Sequence, residues 1–137
     1  MLREVEYSDL DQLRKIRNKW RQLDIFRQNH DILEDEQARW FENTDNAGFI
    51  INGRAYGKIY NDGEVSFYGF DEWLLEDLEE LIDYGHSKSP VLYGECYQFN
   101  QFLHLWVEAG FMMRKVIRNR RYYNGRIWDS ILLEKEI

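Results

Sequence analysis

The chain has 137 residues, 44% hydrophobic and 16% aromatic, which is enough apolar material for a single domain over 1-137 and too much for a disordered chain. A net charge of −7 argues against a generally nucleic-acid-binding surface, and apolar runs of only a few residues exclude a membrane-spanning helix. Cys96 is the only cysteine, so neither an intramolecular disulfide nor a CxxC pair can form; with no signal-peptide pattern in MLREVEYSDL, the expected compartment is the cytoplasm.

Ser8 followed by Asp11 has the form of a capping box, and Leu10, Leu13, Ile16 and Trp20 recur behind it at helical spacing, which predicts a first amphipathic helix. EDEQARWF is a second helix, with acids in its first turn where the helix dipole favours them and Trp40 and Phe41 on its apolar face. At Phe49 the period changes. FIINGRAYGKIY carries β-branched and aromatic residues about Asn52-Gly53, a pair suited to a type I′ hairpin turn. A second turn at Asn61-Asp62-Gly63 leads into EVSFYGF, a further strand. Asp71 is placed to cap a helix whose apolar stripe is Leu74, Leu75, Leu78, Leu81 and Ile82. Gly85 and Pro90 interrupt that helix, and VLYGECY reads as a buried strand. A last helix from near Gln98 to Ala109 presents Phe102, Leu103, Trp106 and Val107, with Gly110 as its C-cap. Two strands, roughly Phe111 to Arg118 and Arg126 to Leu133, end the chain across Asn124-Gly125. One proline, no Gly/Ser-rich stretch and no internal repeat leave no domain boundary.

Charge is unevenly spread. Residues 71 to 83 carry seven acids and no base, whereas residues 114 to 126, RKVIRNRRYYNGR, carry six bases and no acid. That basic hairpin, with Arg118, Arg120, Arg121 and Arg126 about Tyr122 and Tyr123, has a composition suited to phosphate contacts and base stacking, to nucleic acid or to an acidic partner; the plainer reading is a solvated edge hairpin. His30, His86 and His104 show no metal-ligand spacing, so no metal is expected. Cys96, in an apolar strand, reads as a small buried hydrophobe.

The order strand, two helices, a meander of strands, helix, strand, helix, hairpin resembles that of the GNAT superfamily of N-acetyltransferases, and local sequences do too. DLDQLRKIRN with EDEQARWF resembles the two helices that shape the family's acceptor side. EVSFYGF is similar to its central strand, FNQFLHLWVEAGF to its asparagine-containing helix ending in Gly-Phe, and NGRIWDSILLEKE to its closing strands. The resemblance covers essentially the whole chain. It implies an α/β (α+β) acyl-CoA N-acyltransferase fold, with a central mixed, mostly antiparallel sheet flanked by about four helices. It also implies acetyl-CoA-dependent transfer to a small-molecule or macromolecular amine. By the same resemblance Glu64 stands where some relatives keep a general base, and Tyr68, Tyr93 and Tyr97 are candidate phenolic acids. Phe67, Gly69 and Phe70 would line the pantetheine arm, with Asn100 and Trp106 on the helix that follows.

The sequence also departs from that pattern. Where the family places a Gly-rich loop whose backbone N–H groups bind diphosphate, this chain has Phe70-Asp71-Glu72-Trp73, with no base and no glycine beyond Gly69. Trp106 replaces the tyrosine that in many relatives protonates the leaving thiolate, and Asn100 lies one residue closer to Gly110 than the family spacing. Two functions stay open: an N-acyltransferase with altered cofactor binding, or a non-catalytic GNAT-fold binding, structural or regulatory module. Small degenerate modules of that kind occur among phage-encoded proteins.

Overall fold

The structure is a computed structural model, and it describes residues 1–26 and 30–137. Its elements follow the expected order: β1 (Leu2–Glu4), a 3₁₀ turn (Tyr7–Asp9), α1 (Leu10–Arg21), α2 (Glu34–Glu42), β2 (Phe49–Ile51), β3 (Ala55–Ile59) and β4 (Val65–Gly69), then α3 (Leu75–His86), β5 (Val91–Tyr97), α4 (Leu103–Glu108), β6 (Met112–Tyr123) and β7 (Arg126–Glu136). The strands form two antiparallel sheets, β1-β2-β3-β4 and β5-β7-β6. They meet at one point, a parallel bridge between Glu64 and Tyr93, where the Tyr93 N–H donates to the Gly63 carbonyl at 3.0 Å.

Alternation along the first sheet serves two cores. Ile51, Ala55, Ile59, Val65 and Phe67 face α3 and α4, where they meet Leu78, Leu81, Ile82, Leu105 and Trp106. Ile50, Tyr56 and Tyr68 face the other way and pack under α1 with Leu10 and Leu13. Both faces are covered, so every residue of β3 is buried, Lys58 included. Gly57 allows the close approach of α3, because a Cβ there would lie 2.5 Å from Leu81 Cδ2.

Both hairpin turns form as expected. Asn52 and Gly53 have φ of 52° and 69°, and Asn124 and Gly125 have 50° and 84°, the left-handed pair that a type I′ turn requires. Gly110, at φ 98°, ends α4.

Three expectations about helix starts are corrected. The first helix is introduced by Glu6, whose N–H donates to Asp9 Oδ2 at 2.8 Å, while Asp11 pairs with Arg14 and Lys15. Asp71 caps nothing: α3 starts at Leu75, behind Leu74, and the Asp71 side chain is 96% exposed. The last helix begins at Leu103 because Asn100 turns the chain first, its Oδ1 accepting from the Phe102 N–H at 2.9 Å. The terminal strands run longer than expected, with irregular pairing between Ile117 and Arg121.

Candidate functional site

From the bridge at Glu64 and Tyr93 the strands β4 and β5 diverge, and between them lies a cavity of about 280 Å³. Glu64, Ser66 and Phe67 line it from one strand and Glu95, Cys96 and Tyr97 from the other; Arg17, Tyr60, Asn100, Trp73 and Trp106 complete much of the wall. Of the residues singled out in the sequence, the structure brings Glu64, Phe67, Tyr97, Asn100 and Trp106 together here. Tyr68 points to the opposite face, into a neighbouring pocket between α1 and α2 shared with Trp40 and Tyr56, and burial pushes its phenol well above the usual range. Tyr93 instead donates its O–H to Asp62.

The polar groups of the cleft are held in place. Arg121 Nη2 donates to Tyr97 Oη at 3.1 Å and Nη1 pairs with Asp24 at 2.6 Å, so the phenol is fixed from its oxygen side and its own hydrogen can serve a ligand. Glu95 accepts from Arg120 Nε at 2.8 Å and from Ser130 Oγ at 2.6 Å. The Arg17 guanidinium lies 3.8 Å over the Phe26 ring, and burial lowers its pKa. Burial also pushes the Cys96 thiol up to about 12, which makes it a poor nucleophile.

These same contacts change the reading of the basic hairpin. Arg118 pairs with Asp129 at 3.4 Å, Arg120 with Glu95, Arg121 with Asp24, and Arg114 with Glu134 at 3.5 Å, while Arg126 lies 3.7 Å over the Trp128 ring. Acids from β5, β7 and the segment after α1 pair with most of the stripe, and the structure lends no support to a nucleic-acid surface there. Among the described residues no group of three or more His, Cys, Asp or Glu is placed to hold a metal ion, and no helix is long and apolar enough to cross a membrane.

Solved structures share this architecture. A spermidine N-acetyltransferase from Vibrio cholerae, in complex with CoA and spermine, superposes with a TM-score of 0.81 at 17% identity, over 99% of this chain and 94% of that one. An N-acetyltransferase from Staphylococcus aureus Mu50 gives 0.77 at 18%, over 99% and 97%. A GNAT superfamily phosphinothricin acetyltransferase from Sinorhizobium meliloti, in complex with AcCoA, gives 0.77 at 15%, over 100% and 88%. The chain has the GNAT fold. No family model matches its sequence, and no curated protein does either.

A GNAT fold raises the question of whether these residues suit acetyl-CoA. At the β4–α3 junction, where the family's diphosphate loop is expected, the side chains are acidic. Asp71 and Glu72 are both exposed carboxylates at the β4–α3 junction, and a phosphate about 4 Å from either meets roughly 1 kcal/mol of repulsion in water, more where water is partly excluded. Lys19 Nζ sits 3.7 Å from Asp71 but also donates to the Phe70 carbonyl at 3.2 Å. The junction is folded back on itself: a Cβ on Gly69 would lie 1.8 Å from the Glu72 carbonyl oxygen. The end of the central strand is also engaged from within the chain, since Trp20 Nε1 donates to the Gly69 carbonyl at 2.7 Å and the Phe70 N–H donates to the Arg54 carbonyl at 2.9 Å. That last bond engages the Phe70 N–H where the β3–β4 pairing ends. Asn100, expected to meet the cofactor, spends its side-chain oxygen on the Phe102 N–H.

The sequence did not signal the aromatic cluster beside the cleft. Trp73, after β4, and Phe102, after β5, stack with centroids 3.7 Å apart and planes at 5°. Trp20 meets both edge-on, at 5.6 Å and 5.5 Å. The one legible hint was an aromatic residue just past the end of each central strand.

Proposed function

We propose that this chain is an N-acyltransferase of the GNAT type that acts on an amine held in the β4–β5 cleft, with a donor grip that differs from the usual one at the diphosphate. The observation that carries this reading is that Glu64 and Tyr97 line the same cavity, one from each of the two strands that border it. A carboxylate and a phenol on opposing strands supply the two proton-handling groups that amine acylation uses. Glu64 attracts the ammonium form of the acceptor and takes its proton, directly or through one water, and so exposes the nitrogen lone pair. Tyr97, oriented by Arg121, donates its phenolic hydrogen to the departing group and is restored by the second proton that the nitrogen loses on acylation. Trp106 cannot do this, because an indole N–H is not a useful acid. Acetyl-CoA, when bound, supplies the activated acyl carbon.

The V. cholerae neighbour was solved with spermine, and a polyamine is accordingly the first acceptor to try. With millimolar acetyl-CoA and spermidine, thiol release above a protein-free blank is the expected result, and Glu64→Gln and Tyr97→Phe should each lower it by about 10²-fold. A rate equal to the blank over a panel of amines would leave the second reading, a GNAT-fold module without catalysis, which the paired carboxylates of Asp71 and Glu72 favour. In that case acetyl-CoA should also fail to raise the melting temperature.

A further inference from the structure

Two tryptophans meet at the outer end of the cleft, and their indole N–H groups are treated differently. Trp20 donates to the Gly69 carbonyl. Trp73 Nε1 is buried and has no hydrogen-bond partner among the described residues. Tryptophans built permanently into a core usually satisfy that donor, because leaving it buried and unpaired opposes the packing that holds the ring there. Trp73 is held by ring contacts instead: flat on Phe102, and edge-on to Phe67 at 6.0 Å and to Trp20. It also lines the β4–β5 cavity. The stack therefore joins residues that follow β4 and β5, the two strands that border the cavity.

We infer that the Trp73–Phe102 stack is a removable closure of the cleft, and that Trp73 determines which acyl donors enter by having to leave the space that a donor's amide-bearing arm would take. Swinging outward gives its N–H water or a ligand carbonyl to bond, which offsets the lost stacking. This rests on the acyl-transfer reading for its ligand but not for its test, which reads binding alone.

The test is calorimetric titration of coenzyme A into the wild-type chain, Trp73→Ala and Phe102→Leu, with the indole N–H resonances of the ¹⁵N-labelled wild type followed in parallel. The Trp73 resonance is assigned by its absence from the alanine variant. Trp73→Ala should bind coenzyme A about tenfold more tightly than wild type, Phe102→Leu should shift the same way by less, and the Trp73 resonance should move on titration. Folded variants that bind no better than wild type, or wild-type binding with the Trp73 resonance unmoved, would overturn the closure. Should the alanine variant fail to fold, Phe102→Leu and the wild-type spectrum decide between the same two outcomes, the resonance then being assigned from the conservative Trp73→Phe. The two readings fail separately. Tighter binding by the variants without acetyl transfer to any amine sinks acyl transfer and leaves the closure; transfer by the wild type with Trp73 unmoved does the reverse.

Discussion

Gly69 carries more of the cleft than its size suggests. The carbonyl of Glu72 rests where a side chain would begin, so the folded-back junction exists only because residue 69 has none. Replacing it with alanine forces either the strand end or the junction to move. Overpacking of this kind costs about 1–3 kcal/mol, and urea denaturation of Gly69→Ala should show a loss in that range; an unchanged midpoint would mean that the junction is looser than its geometry implies. The sequence presented Gly69 as a central-strand residue that would line the pantetheine arm, not as a position where the chain must fold back. Its backbone contact with Glu72 lies three residues along the chain but depends on where α3 starts, which no local pattern states. Trp73 was hidden for a related reason: its stacking partner belongs to another strand's exit.

Helix α3 shows how an element's start is chosen by a distant turn. Asp77, fully buried in its first turn, accepts from Arg54 Nε at 2.9 Å and Asn52 Nδ2 at 2.8 Å, and Arg54 also reaches Glu76 at 2.7 Å. Met1 adds its amino group to Asn52 and Glu80. The β2–β3 turn is thereby tied to the helix, and Asp77 has to stand at the helix start to reach it. An aspartate at residue 71 had looked like the cap because its spacing suited the apolar stripe, yet that stripe, Leu78, Leu81 and Ile82, is compatible with a start several residues later. Hydrogen bonds to a charged acceptor contribute about 1.5–3 kcal/mol. Asp77→Asn, which keeps the shape and removes the charge, should lower stability by roughly 2 kcal/mol in denaturant. A loss below a few tenths would mean that the clamp holds nothing together. The Asn52-Gly53 turn itself was legible, since few residue pairs besides Asn-Gly adopt two successive positive φ angles easily.

Across the whole molecule, charge is arranged by pairing rather than by runs. The basic hairpin is answered by Glu95, Asp24, Asp129 and Glu134, from β5, the end of α1, and β7. Carboxylates are also held in their charged form. Arg3, hydrogen-bonded to Asp9, lowers that pKa; Lys15 lowers Asp11, and the Tyr93 hydroxyl lowers Asp62. A carboxylate with a depressed folded pKa stabilises the native state above its unfolded pKa of about 3.9, and that contribution disappears as pH falls through the lower folded value. Urea melts should therefore be level from pH 7 to about 5 on this account, with stability dropping below about pH 4. Asp9→Asn should shrink that acid-side drop; a drop of unchanged size in the variant would remove Asp9 from the explanation.

Periodicity and turn chemistry were sufficient for the element order, the two type I′ hairpins and the Gly110 cap, because each rests on residues within a few positions of one another; the likeness to an acetyltransferase came from a family resemblance along the whole chain. The acidic junction Asp71-Glu72 was visible in the same way, as a departure from that family's pattern. Folding had to decide that Glu64 and Tyr97 share a cavity while Tyr68 does not, that hairpin arginines find acidic partners, and that Trp73 and Phe102 stack beside that cavity. Those are contacts between strand exits and between sheets, set by how far β4 and β5 diverge from a single bridge, and divergence is a property of packed layers that no stretch of sequence encodes alone.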